Sequence, residues 1–368
     1  MDVLSITKNL MRRVVIKIER AAFWTRYIAF DRIKDRVLLN NYVDDIQNAE
    51  MVSDKTDGSF AIFVYYEPGQ TVSASVQRII RSLAKADVNI ILMSNHALSD
   101  EQHAFFRDHC HTLIRRGNQG FDFGCYKDAI KFIGEKGLSP ERLIILNDSV
   151  FYASPGLDDF VAALDGEEDV IAAYENWGED YHLQSFSISV SHDVLTSRPF
   201  QQFWKSYIPS NNRVLAIELG EKQLSYAILE SAKTTKVIYS VDQLYRRLLD
   251  SGGVEESMLR TTVAVSWRGA ISPSPINIKH RVVEVCGLIA RTSTIHSGAY
   301  FFPKYMASPI YKKDLVYRGR FRLWEVGAWL QDIMPADERE EFLNLLRQKG
   351  DSSQLTTWDK FKFRNGLK

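Results

Sequence analysis

The strongest constraint on the fold is an alternation. Between residues 60 and 175, short apolar runs and amphipathic stretches follow one another at close intervals. FAIFVYYEPG (60–69) is rich in β-formers and ends in Pro-Gly, which predicts a buried strand and a turn. Just beyond it, Val76, Ile79, Ile80 and Leu83 share one helical face, with Ser73 or Ser75 placed to cap that helix. VNIILMSN (88–95) predicts a second strand, Ser99 to Gln102 a capping box, and LIILNDSV (143–150) another strand. Strands separated by helices at this spacing predict an α/β fold with a doubly wound, mostly parallel sheet. Ligands of such sheets bind beyond the carboxyl ends of the strands. The segments so placed are Tyr65-Tyr66-Glu67, Ser94-Asn95-His96, the loop 117–124 and Asn147-Asp148-Ser149.

Composition narrows the classes. With 368 residues, 45% of them hydrophobic, the chain can bury one large core or a core with an extension. Its 46 basic and 46 acidic residues balance, which argues against nucleic acid as a partner. Three scattered cysteines make neither a disulfide framework nor a four-ligand zinc site, and His109 and His111 have no second cluster to complete one. No run approaches the ~18 apolar residues that cross a bilayer, and the N-terminus lacks the layout of a signal peptide. The expectation is a cytoplasmic protein, free or peripheral on the inner face of the membrane.

Charge is uneven along the chain. Residues 1–36 hold nine basic and four acidic side chains among apolar residues at helical spacing. Such a helix packs on its own domain or lies on an anionic membrane surface. The expected organisation is a basic helical segment (1–54), an α/β core (55–260) and a C-terminal extension (261–368). The stretch 301–329 mixes Lys304, Lys312, Lys313, Arg318, Arg320 and Arg322 with aromatic residues. A membrane-facing surface and an extension packed on the core are equal readings of it, and single-stranded nucleic acid is a distant third.

The strand-end segments hold the chemistry. Asp148, at the end of an apolar strand, suits either a divalent cation that bridges phosphate oxygens or a turn accepting backbone hydrogen bonds. In RRGNQGFDFGCYKDA (115–129), Gly117, Gly120 and Gly124 allow close approach of backbone to a ligand, and Asp122 can accept from a sugar hydroxyl. Arg115, Arg116 and Lys127 supply positive charge there, although the glycine spacing is neither a dinucleotide fingerprint nor a P-loop. Tyr65 and Tyr66 are placed to stack on a base. Trp177, Tyr181 and His182 can stack on sugar faces, while His182, Gln184 and Ser185 can hydrogen-bond sugar hydroxyls. Glu218 follows the apolar run VLAI and is expected at a site mouth; Glu221 reads as a first-turn helix carboxylate.

Taken in order, NQGFDFGCYKDAI (118–130), LIILNDSVFYASPGL (143–157), HLQSFSISVS (182–191) and AIELGEKQLSYAI (216–228) resemble the rhamnan synthesis F family of bacterial polysaccharide glycosyltransferases. The resemblance covers roughly 60–320. It implies a GT-A-like fold and inverting transfer of a sugar, with dTDP-L-rhamnose as donor and a lipid-linked surface glycan as acceptor. It also implies a donor site drawn from Tyr65, Tyr66, Glu67, Asn95, Asn118, Gly120, Asp122, Gly124, Lys127, Asn147, Asp148 and Ser149. Trp177, His182, Gln184 and Ser185 would then meet sugar or acceptor. Asn118-Gln119-Gly120 matches the family's loop, and Asn147-Asp148-Ser149 stands where related transferases have Asp-x-Asp. With one carboxylate in place of two, the diphosphate is met either by magnesium or manganese at Asp148 or, without metal, by Arg115, Arg116 or Lys127. Glu218 is the preferred general base and Glu221 the alternative. The rival reading is a non-catalytic subunit that binds glycan or lipid carrier.

Overall fold

The structure is a computed structural model. It describes residues 43–177, 180–252 and 277–358 without interruption, with isolated positions and short pieces in 14–27 and 259–271. Most of the basic stripe over 1–36 therefore lies outside the described residues.

The chain enters the sheet with β1 (Ile46–Met51), β2 (Ser59–Tyr65), β3 (Asn89–Ser94), β4 (Thr112–Arg116) and β5 (Arg142–Asn147). Next come β6 (Val150–Tyr152), β7 (Val170–Ala172), the small pair β8 (Glu175–Asn176) and β9 (His182–Leu183), and β10 (Ser187–Ser191). β11 (Thr235–Val237) and β12 (Ile310–Lys312) follow. The main sheet runs β1-β4-β3-β2-β5-β10-β7-β11. Strands β4, β3, β2 and β5 are mutually parallel, and β11 is parallel to β7. β10 lies antiparallel between β5 and β7. This is the mostly parallel α/β fold that the alternation predicts.

Why β2, β3 and β5 read as unbroken apolar runs is now plain: helices cover both sheet faces. Successive side chains of a strand alternate between faces. Ala61, Phe63, Ile90, Leu92, Ile144 and Leu146 therefore enter one core, while Phe60, Ile62, Val64, Ile91, Met93 and Ile145 enter the other. The helix Ala74–Lys85 is capped by Ser73, which accepts from the Val76 N–H. The helix Asp100–His109 opens with the expected capping box of Ser99 and Gln102.

Two features depart from the sequence reading, and a third concerns the extension. First, Ile46–Met51, placed in the helical N-terminal segment, is an edge strand antiparallel to β4. Mostly exposed, it satisfies one sheet edge, a long-range pairing that no local pattern announces. Second, the loop expected over 117–124 ends early: a helix begins at Phe121 and runs to Glu135, so Asp122 sits in its first turn. Third, the C-terminal extension joins the core. Phe301, Phe302, Tyr311, Phe321, Trp329 and Phe342 share the cluster of Phe63 and Leu146. Of the readings for 301–329, packing on the core is the one observed. No helix among the described residues is long and apolar enough to cross a membrane.

Candidate active site

The carboxyl ends of β2 and β5 lie side by side, with Val64 opposite Asn147. One residue further, the Asp148 N–H still bonds the Val64 carbonyl at 3.1 Å. The Asp148 side chain then folds back, and its Oδ2 accepts the Tyr66 N–H at 2.7 Å. The short strand β6 follows at once, so Asp148 is fixed at a corner. Asn147 bridges inward: its Nδ2 donates to Asp122 Oδ2 at 2.7 Å and to the Tyr126 hydroxyl at 3.0 Å. Strand end, corner and helix N-terminus thereby bring Asp122 and Asp148 together.

Both carboxyls are perturbed. Burial, then the charge of Asp148, pushes the Asp122 carboxyl up to about 7, against the pull of Lys312. Burial also lifts Asp148 to about 6, opposed by Lys313 and by the Tyr66 N–H. Opposing environments of this kind mark functional clefts.

A third acid comes from the segment 216–221. Here Ala216–Glu221 forms a π-helical turn ahead of the helix Lys222–Ser231. Gly220 lets this turn approach Phe123, whose ring would stand 3.1 Å from a Cβ at that position. Glu221 Oε2 accepts from the Ser185 hydroxyl at 2.7 Å and from its N–H at 3.1 Å. Its Oε1 lies 3.3 Å from His182 Nε2, while His182 Nδ1 is 2.9 Å from the Asp180 carbonyl. Burial alone would raise the Glu221 carboxyl, but bonds from His182 and Ser185 outweigh it and hold the group below its usual range. For His182 burial is likewise outweighed, by Glu221, and the imidazole is raised. The charge of Glu221 is felt by Asp122 and by Lys312, so all belong to one site.

Glu218 has other business. It binds Lys222 Nζ at 2.8 and 3.0 Å, within an ion-pair cluster that includes Asp180. Two of the cations expected around the diphosphate have partners within the protein. Lys127 donates to the Tyr207 carbonyl, and Arg115 is exposed. Arg116 is buried against Asp128 at 2.9 Å and also holds the Gln119 carbonyl, so it anchors the loop. The glycines of that loop admit the protein's own atoms. A Cβ on Gly120, at φ +84°, would overlap Pro209, and one on Gly124 the Gln119 carbonyl.

The remaining residues divide. Tyr65 is a core residue whose hydroxyl accepts from Gln102 at 2.9 Å. Asn95 Oδ1 serves Cys125 and Arg116 at 3.1 and 3.3 Å. Asn118 is exposed and Gln184 is buried. Tyr66 and Glu67 stay at the site: Tyr66 is half exposed, and Glu67 meets Lys313 at 3.2 Å. Trp177 is exposed and packs its ring 4.7 Å from that of Tyr181.

What the sequence reading missed is a second source of positive charge. β12 pairs antiparallel with β6, and Lys312 stands opposite Val150, next to Ser149. Since sides alternate along a strand, burial of Tyr311 in the core turns Lys312 toward the site. Its Nζ lies 3.4 Å from Ser149 Oγ and 4.0 Å from the Phe186 ring centroid. Burial pushes this lysine down to about 8. The signal was present in the basic aromatic stretch, but nothing local places it beside Asp148.

For a divalent cation the chain thus offers two carboxylates, Asp122 and Asp148. Both oxygens named above are already bonded, and a lysine charge stands against each acid: Lys312 against Asp122, Lys313 against Asp148. Positive charge felt at both acids makes this donor set a poor fit for a resident dication.

Fold and side-chain placement together define an α/β protein with a mixed acidic and basic cluster beyond its parallel strand ends. Residues 90–250 match the family model of rhamnan synthesis protein F, and over that segment the resemblance read from the motifs holds. An uncharacterized protein, y4gN, of Sinorhizobium fredii (strain NBRC 101917 / NGR234) is 25% identical over 157 residues, 41% of this chain. The match spans 40% of that curated relative's length. Among solved structures, residues 1–349 of S. aureus TarS are similar at 11% identity and a TM-score of 0.29, covering 84% of this chain and 92% of that one. The glycosyltransferase GlyE of Streptococcus pneumoniae TIGR4 is similar at 12% identity and a TM-score of 0.32, covering 80% and 64%.

Proposed function

We propose that this chain is a glycosyltransferase of bacterial surface polysaccharide synthesis. It moves a sugar, with inversion, from a nucleoside-diphosphate donor to a lipid-linked glycan. The observation that carries this reading is the convergence of Glu221, held ionised by His182 and Ser185, on the same cleft as Asp122, Asp148 and Lys312. The family match supports the polysaccharide context.

In this reading Glu221 is the base. An acceptor hydroxyl attacks the anomeric carbon and passes its proton to Glu221. The bond from that carbon to the donor diphosphate breaks, and its electron pair leaves with the phosphate oxygen. Charge grows on that oxygen, where fixed cations are most effective. His182 and Ser185 orient the base, and the half-exposed Tyr66 faces the donor base. Trp177 stands at the acceptor side. The donor proposed is dTDP-L-rhamnose, and the acceptor's carrier places the work at the inner membrane face.

The test is a transfer and hydrolysis assay of the purified chain with a panel of nucleotide sugars and a lipid-linked acceptor. Turnover of dTDP-L-rhamnose, lost in Glu221→Gln, is the expected result. Donor binding without turnover under any condition would instead favour a non-catalytic binding subunit.

A further inference from the structure

We propose that side chains of the C-terminal extension, centred on Lys312 with Lys313, Arg318 and Lys349 and joined by Arg213, form a diphosphate-binding cluster that takes the place of a divalent cation. The proposal rests on the sugar-transfer reading for its ligand, and on the following geometry for its site.

Four of these five cations lie beyond residue 250, outside the family match. Three come from one short run. β12 sets Lys312 next to Ser149, Lys313 follows with its Nζ 3.2 Å from Glu67, and Arg318 binds Asp314. Lys349 ends the helix Ala336–Lys349, and Arg213 opens the turn that leads to Glu221. Among the described residues, no carboxylate lies within ion-pairing distance of Lys312, Arg213 or Lys349.

The cations also act on one another. Burial, then the charge of Arg318, holds Arg213 below its usual range. Lys349 is lowered by burial, and Lys313, Arg318 and Arg213 add to the lowering against the pull of Asp314. Positive charge is thus gathered in excess of its local partners. A group with several phosphate oxygens resolves that repulsion, and charge-assisted bonds to it are the strong kind. Lys312 stands between this cluster and the acids: its charge is felt by Asp122, and it feels Glu221 and Asp314. Lys312 packs on the Phe186 ring, next to the Ser185 that bonds Glu221, so a diphosphate held by Lys312 lies beside the proposed base. When the anomeric bond breaks, the departing electron pair comes to rest on an oxygen that these side chains already contact.

The diphosphate belongs either to the nucleotide donor or to the pyrophosphate of a lipid carrier. Calorimetric titration of the full chain in EDTA separates them, using dTDP, UDP, dTMP, inorganic pyrophosphate and geranyl pyrophosphate. Nucleoside diphosphates are expected to bind at least about tenfold more tightly than dTMP without metal. Lys312→Gln and Arg213→Gln should each weaken diphosphate binding about tenfold and leave dTMP unchanged. Tighter binding of geranyl pyrophosphate than of dTDP assigns the cluster to the carrier and keeps the proposal. Lys349→Gln, at the last residue of its helix, serves as the variant least able to disturb folding, and thermal melts verify the others. Diphosphate binding that requires manganese, or that is unchanged in all three variants, overturns the proposal. If no donor is ever turned over while binding is lost in the variants, sugar transfer falls and the cluster stands. If transfer is robust but abolished by EDTA and indifferent to Lys312→Gln, the cluster falls and sugar transfer stands.

Discussion

The Ser185 hydroxyl donates to Glu221 Oε2 across 2.7 Å, and this bond ties the π-helical turn to the segment between β9 and β10. With His182 on the other oxygen, it selects one of two nearby glutamates. Glu221→Gln should lower kcat by about 10²–10⁴-fold, the usual range for a lost general base. Glu218→Gln, which strips a partner from Lys222, should leave kcat within a few-fold of the parent. Steady-state transfer assays on both variants decide between them.

Histidine 182 sets the acid limb of that activity. Because His182 and Ser185 hold Glu221 below the usual glutamate range, the base stays ionised well into mild acid. In His182→Ala burial is no longer outweighed as strongly, so the acid limb of kcat/KM should move to higher pH. A pH–rate profile that keeps the parent's limb would remove His182 from this role.

Stability should fall as pH rises through the range of the two aspartates. Asp122, at about 7, and Asp148, at about 6, hold protons in the folded state that the unfolded chain has released from about pH 4 upward. The native state binds more protons there, so unfolding free energy declines between pH 5 and 7.5. Asp122→Asn keeps an acceptor for Asn147 and removes most of that slope. It should stabilise the apo protein at pH 7.5 by on the order of 1–3 kcal/mol, read from denaturant melts at both pH values.

The loop before the helix Phe121–Glu135 depends on a buried ion pair. Arg116 and Asp128 are 1% and 0% exposed in their side chains. Asp128→Ala leaves the guanidinium buried without its carboxylate, and should cost about 3–5 kcal/mol. Chemical denaturation measures this directly.

Gly156 is where the core admits the C-terminal extension. Its φ is +78°, and a Cβ there would overlap the Ala307 carbonyl. Gly156→Ala should destabilise by about 1–3 kcal/mol through overpacking, with further strain from the left-handed backbone. If β12 positions Lys312, the same variant should weaken diphosphate binding although it touches no ligand. Thermal melts and calorimetry report the two effects separately.

Much of the core was legible in advance. The runs around Phe63, Leu92 and Ile145 are strands because only a sheet covered on both faces buries such sequences, and Ser73 and Ser99 cap where local chemistry says they should. Asp148 at the end of β5 was equally plain, since an acid terminating a buried run needs a partner. Lys127 and Arg116 misled for a related reason. A cation in a glycine-rich loop looks like a ligand group, yet each is satisfied by the protein, at the Tyr207 carbonyl and at Asp128.

The sequence by itself determined the sheet, its parallel sense and the segments at the strand ends, because periodicity and capping act over a few residues. Tertiary structure decided the choice of acid and the source of positive charge. Glu218 and Glu221 are three residues apart, and on a regular helix they would share a face. A π turn, packed through Gly220 on Phe123, gives one to Lys222 and the other to the cleft. Lys312 reaches Ser149 only because β12 pairs with β6 across more than 150 residues of chain. Pairing over that distance is governed by the burial of Tyr311 and Phe342 in a shared core, an energy that no local stretch of sequence contains.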